Sequence, residues 1–495
     1  MITPPRSFLS SVLYGIQWVG LGIAVQVGLR VGALAIMARL VPPRDFGLFA
    51  IALIFTSFAE RLGQVGVGAA FVQRSEVDAD DLKTAVVLSL GSGCLIAAVL
   101  CGISPLAASF FHEVELNRII TVLSLGFIVD GVGVVSDGLL QRELRFREIV
   151  KVEALSFIVG LVIIGVTLGF VGLGVWALVG GNLTMRVSKA ALFVWTRPVS
   201  LHGSFSMARA RRLLSTGFGF SLGKILNFLS LQGDNFVVGR LLGAEALGMY
   251  TRAYQAMTLP AMYVGQAFER VLFPALSQKQ DHISTLRKGL LSTLEVSALV
   301  ALPVSVGMNL LSEEIVLVLF GEVWRPIIPV LTVLSCGVFF RAAYKCSDVL
   351  IRSKGDVYKY AARQGVYTAV IVLGSLVGAR MDGTQGVAYA VVGGVMVNYL
   401  LMTRLAGKLA EVSTADLVRV HLPGMWVALW VGVSLNWIVP SLRGYGLVPW
   451  QTLSLSILSA LVVGVTSWLM SGPLATRSSL WPLVASLSRR QRSVV

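Results

Sequence analysis

The sequence predicts an all-α polytopic membrane protein with about 14 transmembrane helices, arranged as two pseudo-symmetric six-helix bundles plus a C-terminal helix pair. Three observations carry this. Of 495 residues, 55% are hydrophobic and only 14% charged, a balance foreign to soluble globular domains. Apolar runs of about 20 residues, enough to cross a hydrocarbon core of about 30 Å, recur along the whole chain. Finally, the stretch from Ala38 to Arg74 is echoed from Gly239 to Ala275. The first copy holds Arg39-Leu40, Gly47-Leu48-Phe49 and Glu60-Arg61; the second holds Arg240-Leu241, Gly248-Met249-Tyr250 and Glu269-Arg270. In each copy Arg-Leu closes one apolar run and Gly opens the next. A long repeat carrying several hydrophobic segments is how many transporters are built.

Taken in order, the first six spans lie at roughly 12–38, 47–72, 83–106, 117–140, 150–171 and 174–195 by the 20-residue criterion. The second six lie at roughly 213–239, 248–274, 286–310, 327–351, 361–379 and 385–407 by the same criterion. A final pair, roughly 420–439 and 447–470, has no counterpart in the first half. The expected organisation is therefore an N-terminal bundle over 1–196, a basic cytoplasmic linker over 197–212, a second bundle over 213–408, and extra helices with a cytoplasmic tail over 409–495. Pro105, Pro260, Pro303 and Pro329 fall inside spans and predict kinks, which are tolerated where neighbours or a cavity satisfy the freed backbone groups.

A net charge of +15 could point to nucleic acid, but the Lys and Arg sit in short loops between apolar runs, so membrane orientation accounts for them. One set of alternate loops carries about 27 of the 41 basic residues, with Arg186 and Lys189 counted among them, and the opposite set about 7. Both termini are thus expected in the cytoplasm. Cys94, Cys101, Cys336 and Cys346 lie in apolar runs without metal-ligand spacing and read as core residues. The four histidines are scattered and predict no metal site; no cofactor is expected. Gly217 to Lys224 imitates a phosphate loop but ends on Ile225 where Ser or Thr belongs. Asp78-Ala79-Asp80-Asp81 reads as a solvated helix start. The longest external loops hold only about a dozen residues, and no segment is large enough for an ATPase, so an enzyme is not expected.

Seven basic residues remain inside or at the edges of spans: Arg30, Arg61, Lys224, Arg252, Arg270, Arg341 and Lys345. Each central one costs about 2.5–3.5 kcal/mol against lipid, so the set must pair, snorkel or face a wet cavity. Five fall on spans 1, 2, 7 and 8, and predict a cationic cavity suited to an anionic headgroup: Arg30, Arg61, Lys224, Arg252 and Arg270. Arg341, Lys345 and Asp348 share one helix face, as an ion-pair ladder or a gate. Asp130 and Asp234 are candidates for a coupling proton or cation, and equally for structural partners.

Three stretches resemble the polysaccharide transporter (Wzx-type flippase) family. They are Ala38-Arg-Leu-Val-Pro-Pro-Arg-Asp-Phe-Gly-Leu-Phe49 with Val67 to Arg74, then Gln141-Arg-Glu-Leu-Arg-Phe-Arg147, then Asp234 to Gly243 with Leu247-Gly-Met-Tyr250. The resemblance implies the multidrug/oligosaccharidyl-lipid/polysaccharide exporter fold. It implies as substrate a polyprenyl-pyrophosphate-linked oligosaccharide, turned across a bacterial cytoplasmic membrane for exopolysaccharide, capsule or O-antigen synthesis by alternating access. Polymerase and chain-length proteins are the partners it implies. Related lipid II flippases use arginines on helices 1, 2 and 8, which Arg30 and Arg61 match by depth, with Arg252 and Arg270 competing for the third. The rival expectation is a cation-coupled multidrug exporter of the same superfamily, whose cavity would favour acids.

Overall fold

The computed structural model describes residues 28–63, 78–199, 202–207, 210, 221–277, 283–354 and 357–470. Among them every regular element is helical, and the helices follow the predicted spans in order. Seven are long and apolar enough to cross a membrane, or eight if one bent pair counts as a single span. Contacts divide the chain into two compact units, Met1–Gly248 and Met249–Val495.

Unit 1 begins with α1 (residues 28–40) and α2 (Pro43–Gly63). There follow α3 (Ala79–Phe111), α4 (Glu115–Arg142), α5 (Phe146–Phe170), α6 (Val175–Thr196) and α7 (Ser221–Leu241). Asp78, in extended backbone, accepts from the Asp81 N–H at 2.8 Å and caps α3, so the acidic triplet is the helix start its sequence implies. His112 closes α3 in the left-handed region, φ 59°. The turn after α4 uses Leu144 at φ 55°, and Glu143 there receives Arg145 at 3.5 Å and Arg197 at 2.8 Å.

Close backbone approach sets the packing. A side chain on Gly93 of α3 would run into the Phe127 carbonyl of α4, and one on Gly160 of α5 into the Met185 backbone of α6. Around Gly160, residues Ile158–Gly165 take a π-helical turn inside α5. Helix α7 packs on α2, where the Phe58 and Phe228 rings lie 5.2 Å apart.

α8 (Gly243–Ser277) starts in unit 1 and continues into unit 2. Unit 2 adds α9 (Ile283–Leu310), the short α10 (Ser312–Leu319), α11 (Ile328–Ser335) and α12 (Val338–Ser353). The α11 and α12 segments bend by 43° at their junction and share the tenth predicted span. Spans 11 and 12 form the two halves of α13 (Val357–Leu409), which is broken at Asp382 and Gly383; Gly383 takes φ 57°, ψ −134°, a turn open only to glycine. The chain ends in α14 (Thr414–Arg419), α15 (Leu422–Gly444) and α16 (Pro449–Met470).

The C-terminal pair is docked by a stripe of period four on α15. Val427, Val431, Leu435 and Val439 bury themselves with Leu311, against Leu299 and Leu310 on one side and Leu453 and Ala460 on the other. Ion pairs fix both ends of this layer: Arg287 to Asp416 at 2.8 Å, and Arg443 to Glu314 at 2.7 Å and Glu313 at 3.1 Å.

Candidate functional site

Unit 2 gathers cations and aromatic rings from three helices. α12 buries Ala342, Ala343, Cys346, Val349 and Leu350 along one side, which leaves Arg341, Tyr344 and Lys345 on the other. The Arg341 guanidinium lies 5.0 Å from the centroid of Tyr254 on α8, and Tyr344 and Tyr367 of α13 are also within electrostatic reach of it. The Lys345 ammonium lies 5.2 Å from the Tyr344 ring. Two residues before Tyr254 on α8, Arg252 donates to the Gln255 side-chain oxygen at 2.7 Å. Asp348 is buried and receives Arg352 at 3.2 Å. Cations lying on ring faces keep their charge while shedding water, and remain able to take an anion.

Unit 1 carries a second polar centre at mid-helix. Arg186 of α6 pairs with Asp130 of α4, donates from Nε to the Asn182 side-chain oxygen at 3.1 Å, and sits 5.4 Å from the Phe127 centroid. Gly126 makes the room, because a side chain there would meet the Arg186 stem. Lys189, one turn on, reaches Glu153 of α5 at 3.8 Å. From sequence, Arg186 and Lys189 belong to an inward loop. The structure corrects this: both lie well inside α6, Val175–Thr196. The signal was available, since Asn182, Arg186 and Lys189 recur at helical spacing in one unbroken apolar run.

Arg30 is exposed on α1. Asp234 is buried in α7, 1% exposed, and accepts from the Asn235 N–H at 2.9 Å, beside the Asn235 to Gln232 side-chain bond of 2.7 Å. Arg61, Lys224 and Arg270 are carried by α2, α7 and α8, but their side chains lie outside the described residues. Among the described residues no three or more His, Cys, Asp or Glu are placed to hold a metal ion.

The two copies of the repeat meet each other. A side chain on Gly47 would strike the Ala244 carbonyl, and one on Gly248 would strike the Pro43 carbonyl. Pro43 and Ala244 each precede their glycine by four residues, so the contact is reciprocal, as across a two-fold axis. Between them Asp45 accepts from the Val175 N–H at the start of α6, and Arg44 binds Glu113 at 2.9 Å. Burial, and then Glu115, hold the Asp45 carboxyl above the usual carboxylate range.

The family model described as polysaccharide biosynthesis protein matches residues 36–329, more than half of the sequence. The chain belongs to the polysaccharide biosynthesis protein family. It is 27% identical over 382 residues to the lipopolysaccharide biosynthesis protein WzxC of Escherichia coli K12, covering 77% of this chain and 78% of that one. To the teichuronic acid biosynthesis protein TuaB of Bacillus subtilis 168 it is 26% identical over 351 residues, 70% of this chain and 72% of the relative. Among solved structures it is similar to the lipid II flippase MurJ in an inward closed conformation, with a TM-score of 0.74 and 13% identity over 93% of this chain and 99% of that one. At that identity the likeness establishes the fold alone, and the all-helical exporter fold expected from sequence is the one found.

Proposed function

We propose that this member of the polysaccharide biosynthesis family is a flippase rather than an enzyme. It moves a polyprenyl-pyrophosphate-linked oligosaccharide across the bacterial cytoplasmic membrane, for assembly of an exopolysaccharide, capsule or O-antigen. The observation that carries this reading is Arg341 lying on the Tyr254 ring, with Tyr344 and Tyr367 around it and Lys345 one turn away. A fixed guanidinium in a low-dielectric setting is suited to phosphate oxygens, and ring faces are suited to the apolar faces of sugars. Family membership and the similarity to WzxC and TuaB support the substrate class.

In this reading the headgroup passes through a polar route lined by Arg252, Arg341 and Lys345, together with Arg30, Arg61, Lys224 and Arg270, while the lipid tail stays in the bilayer. The two six-helix bundles (1–196 and 213–408) alternate access, both termini lie in the cytoplasm, and a polymerase draws off the product. Cells lacking the protein should accumulate the lipid-linked oligosaccharide where a membrane-impermeant lectin added outside spheroplasts cannot label it. Wild-type protein should restore labelling. Equal labelling with and without the protein would refute the proposal.

A further inference from the structure

His421 joins α14 to α15 and carries a hydrogen bond that the proposed transport site does not use. Its Nε2 lies 2.5 Å from the Tyr399 hydroxyl of α13. Aromatic rings box it in: Phe339 of α12 meets the imidazole edge-on at 5.6 Å between centroids, and Tyr399 lies at 6.0 Å. On the other side, the Leu417 and Val418 carbonyls of α14 are within hydrogen-bonding reach of the ring. A neutral imidazole has one donor and one acceptor nitrogen. Carbonyls only accept, so Nδ1 carries the hydrogen and the Tyr399 hydroxyl donates to Nε2.

The chain of bonds continues inward. Tyr399 is within reach of Thr403, one turn along α13, and the Thr403 hydroxyl lies 3.1 Å from that of Ser347 on α12. Ser347 and Thr403 are both buried. The four side chains therefore tie α12 and α13 to the α14–α15 junction. That junction is otherwise lightly held. None of the six residues of α14 is buried, and its other contacts include Asp416 on Arg287 and Leu417 against Gly407.

Among the described residues no carboxylate pairs with the ring. From α13, Tyr399 touches it, and Arg404 and Lys408 are exposed. From α12, buried Cys346 acts on Tyr399, while Asp348 is paired with Arg352. On α9, Arg287 is taken by Asp416, Lys288 is exposed and Glu295 is buried farther along the helix. Arg419 of α14 is exposed, and α15 has no charged residue before Arg443.

We propose that His421 is a pH-operated latch that fastens the α14–α15 junction to α13 and α12. The neutral ring closes the chain through Nε2. A proton taken from solvent at Nε2 removes the acceptor and turns a second donor toward the Tyr399 hydroxyl. It also places a charge among rings with no carboxylate to meet it. The ring then withdraws, and α14 with the first turn of α15 comes loose. The stripe from Val427 to Val439 keeps the rest of α15 docked. The proton returns to solvent as the ring re-enters. This latch is independent of what the protein carries.

The test is hydrogen–deuterium exchange of the full-length protein in nanodiscs, at neutral and mildly acidic pH, corrected for the intrinsic pH dependence of exchange. In wild type, residues 414–425 should exchange about tenfold faster in acid, and residues 427–439 equally at both pH values. Tyr399→Phe, which keeps the ring and loses the hydroxyl, should exchange fast over 414–425 at both. His421→Gln, whose neutral amide still accepts from Tyr399, should exchange slowly at both. Wild-type exchange that ignores pH overturns the switch, and pH dependence retained in His421→Gln overturns the role of this residue. A Tyr399→Phe protein as slow as wild type at neutral pH overturns the latch. Nitrogen NMR of histidine-labelled wild type reads the ring directly, through the signals that His421→Gln removes. They should show hydrogen on Nδ1 alone at neutral pH and on both nitrogens in acid; hydrogen on Nε2 at neutral pH contradicts the proposal.

Discussion

Arg341 shows how one charge is kept inside an apolar fold. Its guanidinium lies 5.0 Å from the Tyr254 centroid, so a ring quadrupole takes over part of the role of water. If it holds a phosphate, Arg341→Ala forfeits a charge-assisted bond of about 1.5–3 kcal/mol and slows translocation by about tenfold to a hundredfold. Tyr254→Leu should slow it less, because the cation remains. Rates of leaflet exchange at matched insertion decide this, and wild-type rates in Arg341→Ala would remove the residue from the site. That Arg341 and Lys345 share a face could be read from their spacing; that the face meets Tyr254 from α8 could not, because the two residues are far apart in sequence. Arg186 was passed over for another reason: it was counted with the loop charges that set orientation, although the sixth predicted span already contains it.

At the scale of elements, Asp45 ties the start of α2 to the start of α6. Asp45→Ala should lower stability by about 1 kcal/mol through loss of the cap. The pH dependence has a definite sign. Burial raises the folded-state value of Asp45 above its unfolded one, so the native state binds the proton more tightly. This group's contribution therefore grows as pH falls through the folded value and is lost as pH rises through it. Asp45→Asn, which keeps an acceptor, should flatten that part of a thermal-unfolding profile; an unchanged profile would assign the slope elsewhere. The repeat glycines give a second test. Gly248→Val drives a side chain into the Pro43 carbonyl and should cost about 1–3 kcal/mol, seen as a lower unfolding temperature, and Gly47→Val should match it through Ala244. A tolerant Gly248 beside an intolerant Gly47 would break the reciprocity. The spacing of the repeat was legible in the sequence, whereas the meeting of its two copies depends on how α2 and α8 start.

For the whole molecule, the all-helical class and the order of the described helices followed from apolar run length, because a bilayer leaves the chain little alternative to helices of about 20 residues. The break at Asp382 and Gly383 also falls where the runs pause, whereas the bend between α11 and α12 falls inside the tenth predicted span. Less legible was the distribution of charge. Sequence places the cations on spans 1, 2, 7 and 8, while the described structure sets Arg341 and Lys345 against rings in one unit and Arg186 against carboxylates in the other. Pairings of this kind depend on which faces of distant helices meet, and no local pattern encodes that. The central claim is that the protein carries a lipid-linked glycan from one leaflet to the other. It is tested most directly in proteoliposomes holding a fluorescent polyprenyl-pyrophosphate oligosaccharide, with exposure scored by a membrane-impermeant glycosidase. Protein-containing vesicles should expose the lipid far faster than empty ones, and Arg341→Ala should sharply reduce that rate. Equal rates in protein-containing and empty vesicles would contradict the account.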